Sequence, residues 1–80
     1  MTLWELMTVV QDQNYRLLVY NQNDAYVETV TYSKYQSMFR LKKKYYEYAS
    51  GRLNEILNAP NVVKFVHSAE YYLDIGVQLL

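Results

Sequence analysis

The chain has 80 residues, a formal net charge of zero and no cysteine. This length suits one small domain, and the lack of cysteine excludes disulfides and thiolate-zinc sites as sources of its stability. No apolar run reaches the roughly 18 residues that a membrane span needs, and the first residues do not resemble a signal peptide. We therefore expect a cytoplasmic protein that forms a single domain over residues 1–80 and makes no contact with a membrane.

The chain opens with a predicted helix and strand. Thr2 and Glu5 form a capping box, T-x-x-E, and apolar residues follow at helical spacing, so the pattern predicts a helix over roughly residues 3–11. A polar turn at residues 12–14 ends it. Residues 15–20 (YRLLVY) are apolar and aromatic, which favours a strand.

A hairpin follows this first strand. Residues 21–24 (NQND) favour a turn and lead into a second predicted strand over residues 25–32. Strict alternation along this strand would place four residues on one face, namely Tyr26, Glu28, Val30 and Tyr32. Neither face is wholly apolar, so the pattern defines the register of this strand only weakly.

The longest helical pattern covers residues 33–58. Ser33 and Gln36 form a second capping box, and apolar residues then recur at steps of three and four. Pro60 predicts that the helix ends near Asn58, because the residue before a proline avoids the helical conformation. Glycine at position 51 is a poor helix former. A single bent helix and a long helix followed by a short one both remain open.

The last part of the chain predicts a second hairpin. Residues 62–67 (VVKFVH) form a strand, residues 68–70 a turn, and residues 71–79 a strand with regular alternation of apolar and polar positions. The element order α-β-β-α-β-β predicts an α+β fold. We expect a four-stranded, mainly antiparallel sheet with the helices packed on one face.

The residue types argue against catalysis and against a bound cofactor. His67 is the one histidine, and with no cysteine the chain has neither a Cys–His pair nor His-rich metal spacing. With two glycines in the chain, neither a dinucleotide fingerprint nor a phosphate loop can be formed. We therefore predict a protein that is not an enzyme, with no catalytic residue, no metal site and no cofactor.

One segment has the composition of a binding surface. Residues 34–52 carry six of the eight cationic residues against one glutamate, and tyrosines lie among them. Cations beside aromatic rings suit single-stranded nucleic acid, and they equally suit an acidic protein or a plain solvated helix face. The predicted interaction residues are Arg40, Lys42, Lys43, Lys44, Tyr45, Tyr46 and Tyr48.

Ten tyrosines in 80 residues are a second sign of an interface. Tyrosine offers a large, rigid contact area with a polar tip, which is why it is enriched where proteins meet. The alternative is that tyrosine replaces phenylalanine in a thin core. On the first interpretation several tyrosines stay exposed, such as Tyr26, Tyr32, Tyr48 or Tyr72.

The opening TLWEL and the ending NVVKFVHSAEYYLDIGVQL resemble small uncharacterised proteins of phages and integrative elements in Gram-positive bacteria. The resemblance covers about half of the chain and involves generic hydrophobic patterns. It implies a protein that binds a host or mobile-element protein, with an anti-CRISPR or other anti-defence inhibitor conceivable. It assigns no functional residue.

These observations together predict a non-enzymatic protein-interaction module. Its expected partner is another protein, from a host or a mobile element, and a homodimer is a further option. The alternative is an accessory nucleic-acid-binding protein that uses the basic and aromatic residues between positions 40 and 48.

Overall fold

A computed structural model describes residues 1–9, 14–32 and 51–80. Within these ranges the chain forms two helices and four strands. In chain order they are α1 (Leu3–Val9), β1 (Tyr15–Tyr20), β2 (Tyr26–Tyr32), α2 (Gly51–Asn58), β3 (Asn61–Ser68) and β4 (Leu73–Leu79).

The four strands form one mixed sheet in the order β2-β1-β4-β3. Strands β1 and β2 form one antiparallel hairpin and β3 and β4 form the other, while β1 and β4 run parallel at the centre. The prediction of an α+β fold with a mainly antiparallel sheet is confirmed. The parallel pairing of β1 with β4 joins the two hairpins, and it leaves β2 and β3 as the two edge strands.

Both helices pack on one face of this sheet. Strand β1 contributes alternate residues to the core, Tyr15, Leu17 and Val19, all with no exposed surface. Helices α1 and α2 and strand β4 supply the rest, namely Leu3, Leu6, Met7, Leu53, Ile56, Leu57, Ile75 and Val77. The alternation predicted for β4 and the apolar stripe predicted for α2 therefore both face the core.

The predicted cap of α1 is present. The backbone N–H of Thr2 donates to Glu5 Oε1 at 3.0 Å, and the backbone N–H of Glu5 donates to Thr2 Oγ1 at 3.2 Å. These reciprocal bonds satisfy N–H groups that the first turn of a helix leaves unpaired. Helix α2 ends at Asn58, two residues before Pro60, as the sequence predicts.

The buried side chain of Asn61 connects the two described helices. Asn61 Oδ1 accepts the backbone N–H of Leu3 at 2.8 Å. Its Nδ2 donates to the carbonyls of Ile56 at 2.9 Å and Ala59 at 2.7 Å. Asn61 therefore satisfies the start of α1 and the end of α2 at the same point.

Two details of the strands differ from the sequence-based predictions. Strand β4 begins at Leu73 rather than at residue 71, and Tyr71 lies in the turn with 72% of its surface exposed. In β2, a β-bulge at Val27 interrupts the alternation, so Tyr26 pairs with Tyr20 and lies on the face opposite to Glu28 and Val30. A bulge adds one residue, and one residue is enough to change the face.

The prediction for the long central helix is tested only at its end. Residues 51–58 are helical, and Gly51 is the first residue of α2. Residues 33–50 lie outside the described part of the chain, and with them the choice between one bent helix and two helices. Residues 10 and 11 of the first predicted helix also lie outside it.

Candidate interaction surface

The face of the sheet opposite to the helices is here named the open face. Its residues are those that alternate with the core positions along the strands, and the pairing registers place them side by side. From β2 to β3 they are Tyr26, Thr29 and Thr31, then Arg16, Leu18 and Tyr20, then Asp74, Gly76 and Gln78, then Val62, Phe65 and His67.

Three rings form an aromatic cluster on the open face, consisting of Tyr20, Tyr26 and Phe65. The ring centroids of Tyr20 and Tyr26 are 6.0 Å apart, and those of Tyr20 and Phe65 are 6.4 Å apart, both with edge-to-face geometry. This is a favourable arrangement for aromatic pairs. Tyr26 is 56% exposed and Phe65 is 39% exposed, so the rings remain available to a partner.

Two β-bulges place the outer rings of this cluster. One lies in β2 beside Val19 and Tyr20, and the other lies in β3 at Lys64, between Val63 and Phe65. Each bulge places the neighbouring aromatic residue, Tyr26 in β2 and Phe65 in β3, on the open face. There its ring contacts the ring of Tyr20 on the central strand β1. The sequence gives a strand pattern at these positions but no local signal of a bulge.

Gly76 provides the space that Phe65 occupies. The two residues are cross-strand partners, and a Cβ atom at position 76 would overlap the ring of Phe65. Phe65 therefore lies flat against the backbone of β4, which is a use of glycine typical of close approaches in sheets. The exposed ring is held in place by this contact as well as by Tyr20.

A lysine borders the cluster with its charge already paired. Lys64 Nζ lies 3.9 Å from the centroid of the Tyr20 ring, a cation–π contact, and it also forms an ion pair with Asp24. Asp24 lies in the loop that joins β1 to β2 and has a φ of 64°, a conformation that aspartate tolerates better than most residues. The loop thus brings a carboxylate to the bulged lysine.

The second cation of the open face is paired too. Arg16 donates from Nε to Asp74 Oδ1 at 2.7 Å and from Nη2 to Asp74 Oδ2 at 2.9 Å, a bidentate bridge between β1 and β4. These hydrogen bonds raise the pKa of Arg16 above its ordinary value. The guanidinium also lies 4.9 Å from the ring centroid of Tyr72.

A shallow depression lies beside this ion pair. Arg16, Asp74, Leu18 and Thr29 line it. Its lining thus combines one paired cation and one paired carboxylate with the side chains of Leu18 and Thr29.

The predicted interaction residues are not tested by this geometry. Arg40, Lys42, Lys43, Lys44, Tyr45, Tyr46 and Tyr48 all lie in the range 33–50, outside the described residues. The aromatic cluster is a surface that sequence reasoning missed, although Tyr26 was expected to be exposed. Alternation along β1 predicts that Tyr20 points away from the core. The sequence does not predict that Tyr26 and Phe65 contact Tyr20, because both contacts depend on β-bulges.

Three further observations bear on function. Across residues 1–9, 14–32 and 51–80, no three His, Asp or Glu side chains lie together in a way that could hold a metal ion. Neither described helix is long and apolar enough to cross a membrane. Comparison with known protein families, with curated proteins and with solved structures finds no match to this chain.

Proposed function

We propose that this protein is a non-enzymatic, cytoplasmic interaction module that binds another protein through its open face. The observation that supports this proposal is the aromatic cluster of Tyr20, Tyr26 and Phe65. Its rings are partly exposed, yet they are fixed on a rigid sheet by one another and by Gly76. Protein interfaces are dominated by such preorganised aromatic anchors, because little side-chain entropy is lost on binding.

The charges of the open face favour a protein over a nucleic acid. Nucleic-acid surfaces need free cations that neutralise phosphates, in addition to rings that stack on bases. Here Arg16 is bound to Asp74, and Lys64 is bound to Asp24. The aromatic cluster is therefore bordered by neutral ion pairs, which suits a partner whose contact surface is apolar and close to uncharged.

The sequence resemblance suggests the origin of the partner. Small proteins of phages and integrative elements often bind host or element proteins, so the partner proposed here is such a protein. An inhibitor of a host defence system belongs to the same class. The alternative of nucleic-acid binding involves residues 40–48 and is separated from this proposal by the experiment below.

Affinity capture with tagged protein tests the proposal. The wild type should recover a stoichiometric protein partner from a host-type lysate, and recovery should survive nuclease treatment. Tyr26→Ala and Phe65→Ala should each weaken recovery at least about tenfold, as expected for truncation of an interface anchor. The purified partner should show the same loss of affinity in calorimetry.

Tyr71→Ala provides the matched control. Tyr71 is also an exposed tyrosine, but it lies in the turn between β3 and β4, away from the aromatic cluster. It should recover the partner like the wild type, and all three variants should keep the wild-type circular dichroism spectrum at an assay temperature well below their melting temperatures. Undiminished recovery by Tyr26→Ala and Phe65→Ala would refute the open face as the binding surface. Recovery that disappears with nuclease would favour the nucleic-acid alternative.

A further inference from the structure

Among the residues that the structure describes, strand β3 has no backbone partner along part of its outer edge. At its start, the edge is occupied by the N-terminal residues, since the backbone N–H of Val63 donates to the carbonyl of Met1 at 2.8 Å. Beyond Val63, residues 64–68 are all exposed, and β3 is the last strand of the sheet on this side. Five residues of strand therefore lie between the Met1 contact and the turn into β4.

The direction of the backbone groups along this edge follows from two hydrogen bonds. Val63 donates to Met1, so its N–H points away from β4, whereas Ala69 donates to the carbonyl of Tyr72 across the hairpin. In an antiparallel ladder alternate residues point toward the partner strand, and the extra residue Lys64 changes the phase once between these points. The N–H and C=O groups of Val66 therefore point outward, away from β4.

We propose that a second copy of this chain pairs with β3 beyond the bulge at Lys64, as an antiparallel strand with the twofold axis beside Val66. The two sheets would then join edge to edge into one sheet of eight strands. This inference concerns the edge of β3, and it is independent of the open face through which we propose that other proteins bind.

The side chains on the edge are complementary to themselves under this symmetry. Val66 meets Val66 of the second copy on one side of the sheet. On the other side of the sheet, Phe65 of each copy lies opposite His67 of the other copy. Cross-strand pairs of aromatic rings, here Phe65 and His67, are favourable neighbours. No two like charges face each other across the new pairing.

The length of the free edge also fits. With Val66 on the axis, residues 65–67 of the two copies pair, and Ser68 of the second copy, the last residue of β3, lies beside the bulge at Lys64. The second strand therefore ends one residue before it would meet the Met1 carbonyl at Val63. Lysine often protects an edge from such pairing, but the ammonium of Lys64 is directed to Tyr20 and Asp24 on the open face.

The expected dimer is weak. Pairing of three residues on each chain, 65–67, gives a contact below the standard size of stable protein interfaces. We therefore expect a dissociation constant of about 10⁻⁵ to 10⁻³ M. The measurement must reach protein concentrations of about 1 mM for this reason.

Sedimentation velocity over a concentration series tests the dimer. The wild type should show a rising dimer fraction, and the amide of Val66 should gain protection from hydrogen exchange as the concentration rises. Val66→Lys places two ammonium groups opposite each other and should abolish the dimer. Val66→Pro removes the outward N–H and should do the same without removing a bond of the β3–β4 ladder.

Val66→Thr is the matched control, because threonine keeps the β-branched shape and the backbone groups. It should dimerise within about threefold of the wild type, and Tyr26→Ala on the open face should do so as well. A wild type that stays monomeric at about 1 mM would overturn the proposal. A dimer that persists in both Val66→Lys and Val66→Pro, or one lost in Tyr26→Ala, would also overturn it.

Discussion

The two faces of strand β1 differ in how their side chains are held in place. Tyr15, Leu17 and Val19 point to the helices and have no exposed surface. Arg16, Leu18 and Tyr20 alternate with them and remain partly exposed on the open face. Burial of apolar area is the main source of folding free energy, so the helix-covered face determines most of the stability.

The open face is ordered by a different kind of contact. Its members are held by pairs within the face: the Arg16–Asp74 bridge, the lysine on the Tyr20 ring, and Phe65 over Gly76. A partly exposed ion pair such as Arg16–Asp74 contributes little to stability. These contacts do fix the positions of exposed side chains, which then have less conformational entropy to lose in any further contact.

The largest expected difference between the faces is found at two neighbouring leucines. Leu17→Ala leaves a cavity in the core and should lower the free energy of unfolding by about 2–5 kcal/mol. Leu18→Ala acts on the half-exposed neighbour and should cost about 1 kcal/mol or less. Urea denaturation of both variants measures the difference. Equal losses would show that the open face is packed as tightly as the helix-covered one.

Asn61 is the polar exception on the buried side and provides the next test. Asn61→Ala removes the bond to the Leu3 N–H and leaves the Ile56 and Ala59 carbonyls without this donor. Since unpaired buried polar groups are costly, we expect a loss of about 2–3 kcal/mol. Gln22→Ala, in the exposed loop between β1 and β2, is the control and should change stability by less than about 0.5 kcal/mol.

The elements that the sequence predicts well are those with a clear local signal. The T-x-x-E cap of α1, the stop before Pro60 and the alternation of Leu73, Ile75 and Val77 each follow from short-range physics. All three are present in the structure. The fold class follows from the order of these elements and is confirmed as well.

The arrangement of the open face could not be predicted in the same way. A β-bulge depends on the pairing of two strands, and nothing within residues 25–32 marks Val27 as the extra residue. The sequence indicates Gly76 as a weak point in a strand, but its role becomes visible only when Phe65 of the neighbouring strand lies above it. The predicted site at residues 40–48 stays a prediction.

Gly76 allows the contact that orders Phe65 to be tested by itself. Gly76→Ala should displace the ring of Phe65 and destabilise the protein by about 1 kcal/mol, as a mild case of overpacking. In a Phe65→Ala background the same change should instead stabilise by about 0.5 kcal/mol, because alanine suits a strand better than glycine once the space is free. Both effects are measured by urea denaturation as a double-mutant cycle. A destabilisation of equal size in both backgrounds would mean that Phe65 is not the neighbour that limits position 76.

The smallest expected effect concerns the cap of helix α1, which packs on the helix-covered face of the sheet. The hydrogen bond from the Thr2 backbone lowers the pKa of Glu5 below its ordinary value of 4.5. A carboxylate with a lowered pKa in the folded state stabilises the protein at higher pH, and this contribution is lost as the pH falls through the folded-state pKa. Glu5→Gln should therefore be less stable than the wild type at about pH 7, and the difference should shrink by about pH 3.

Every other carboxylate titrates in both proteins, so the difference in urea midpoint between the wild type and Glu5→Gln isolates the contribution of Glu5. A difference that stays constant with pH would show that the charge of Glu5 does not stabilise the helix.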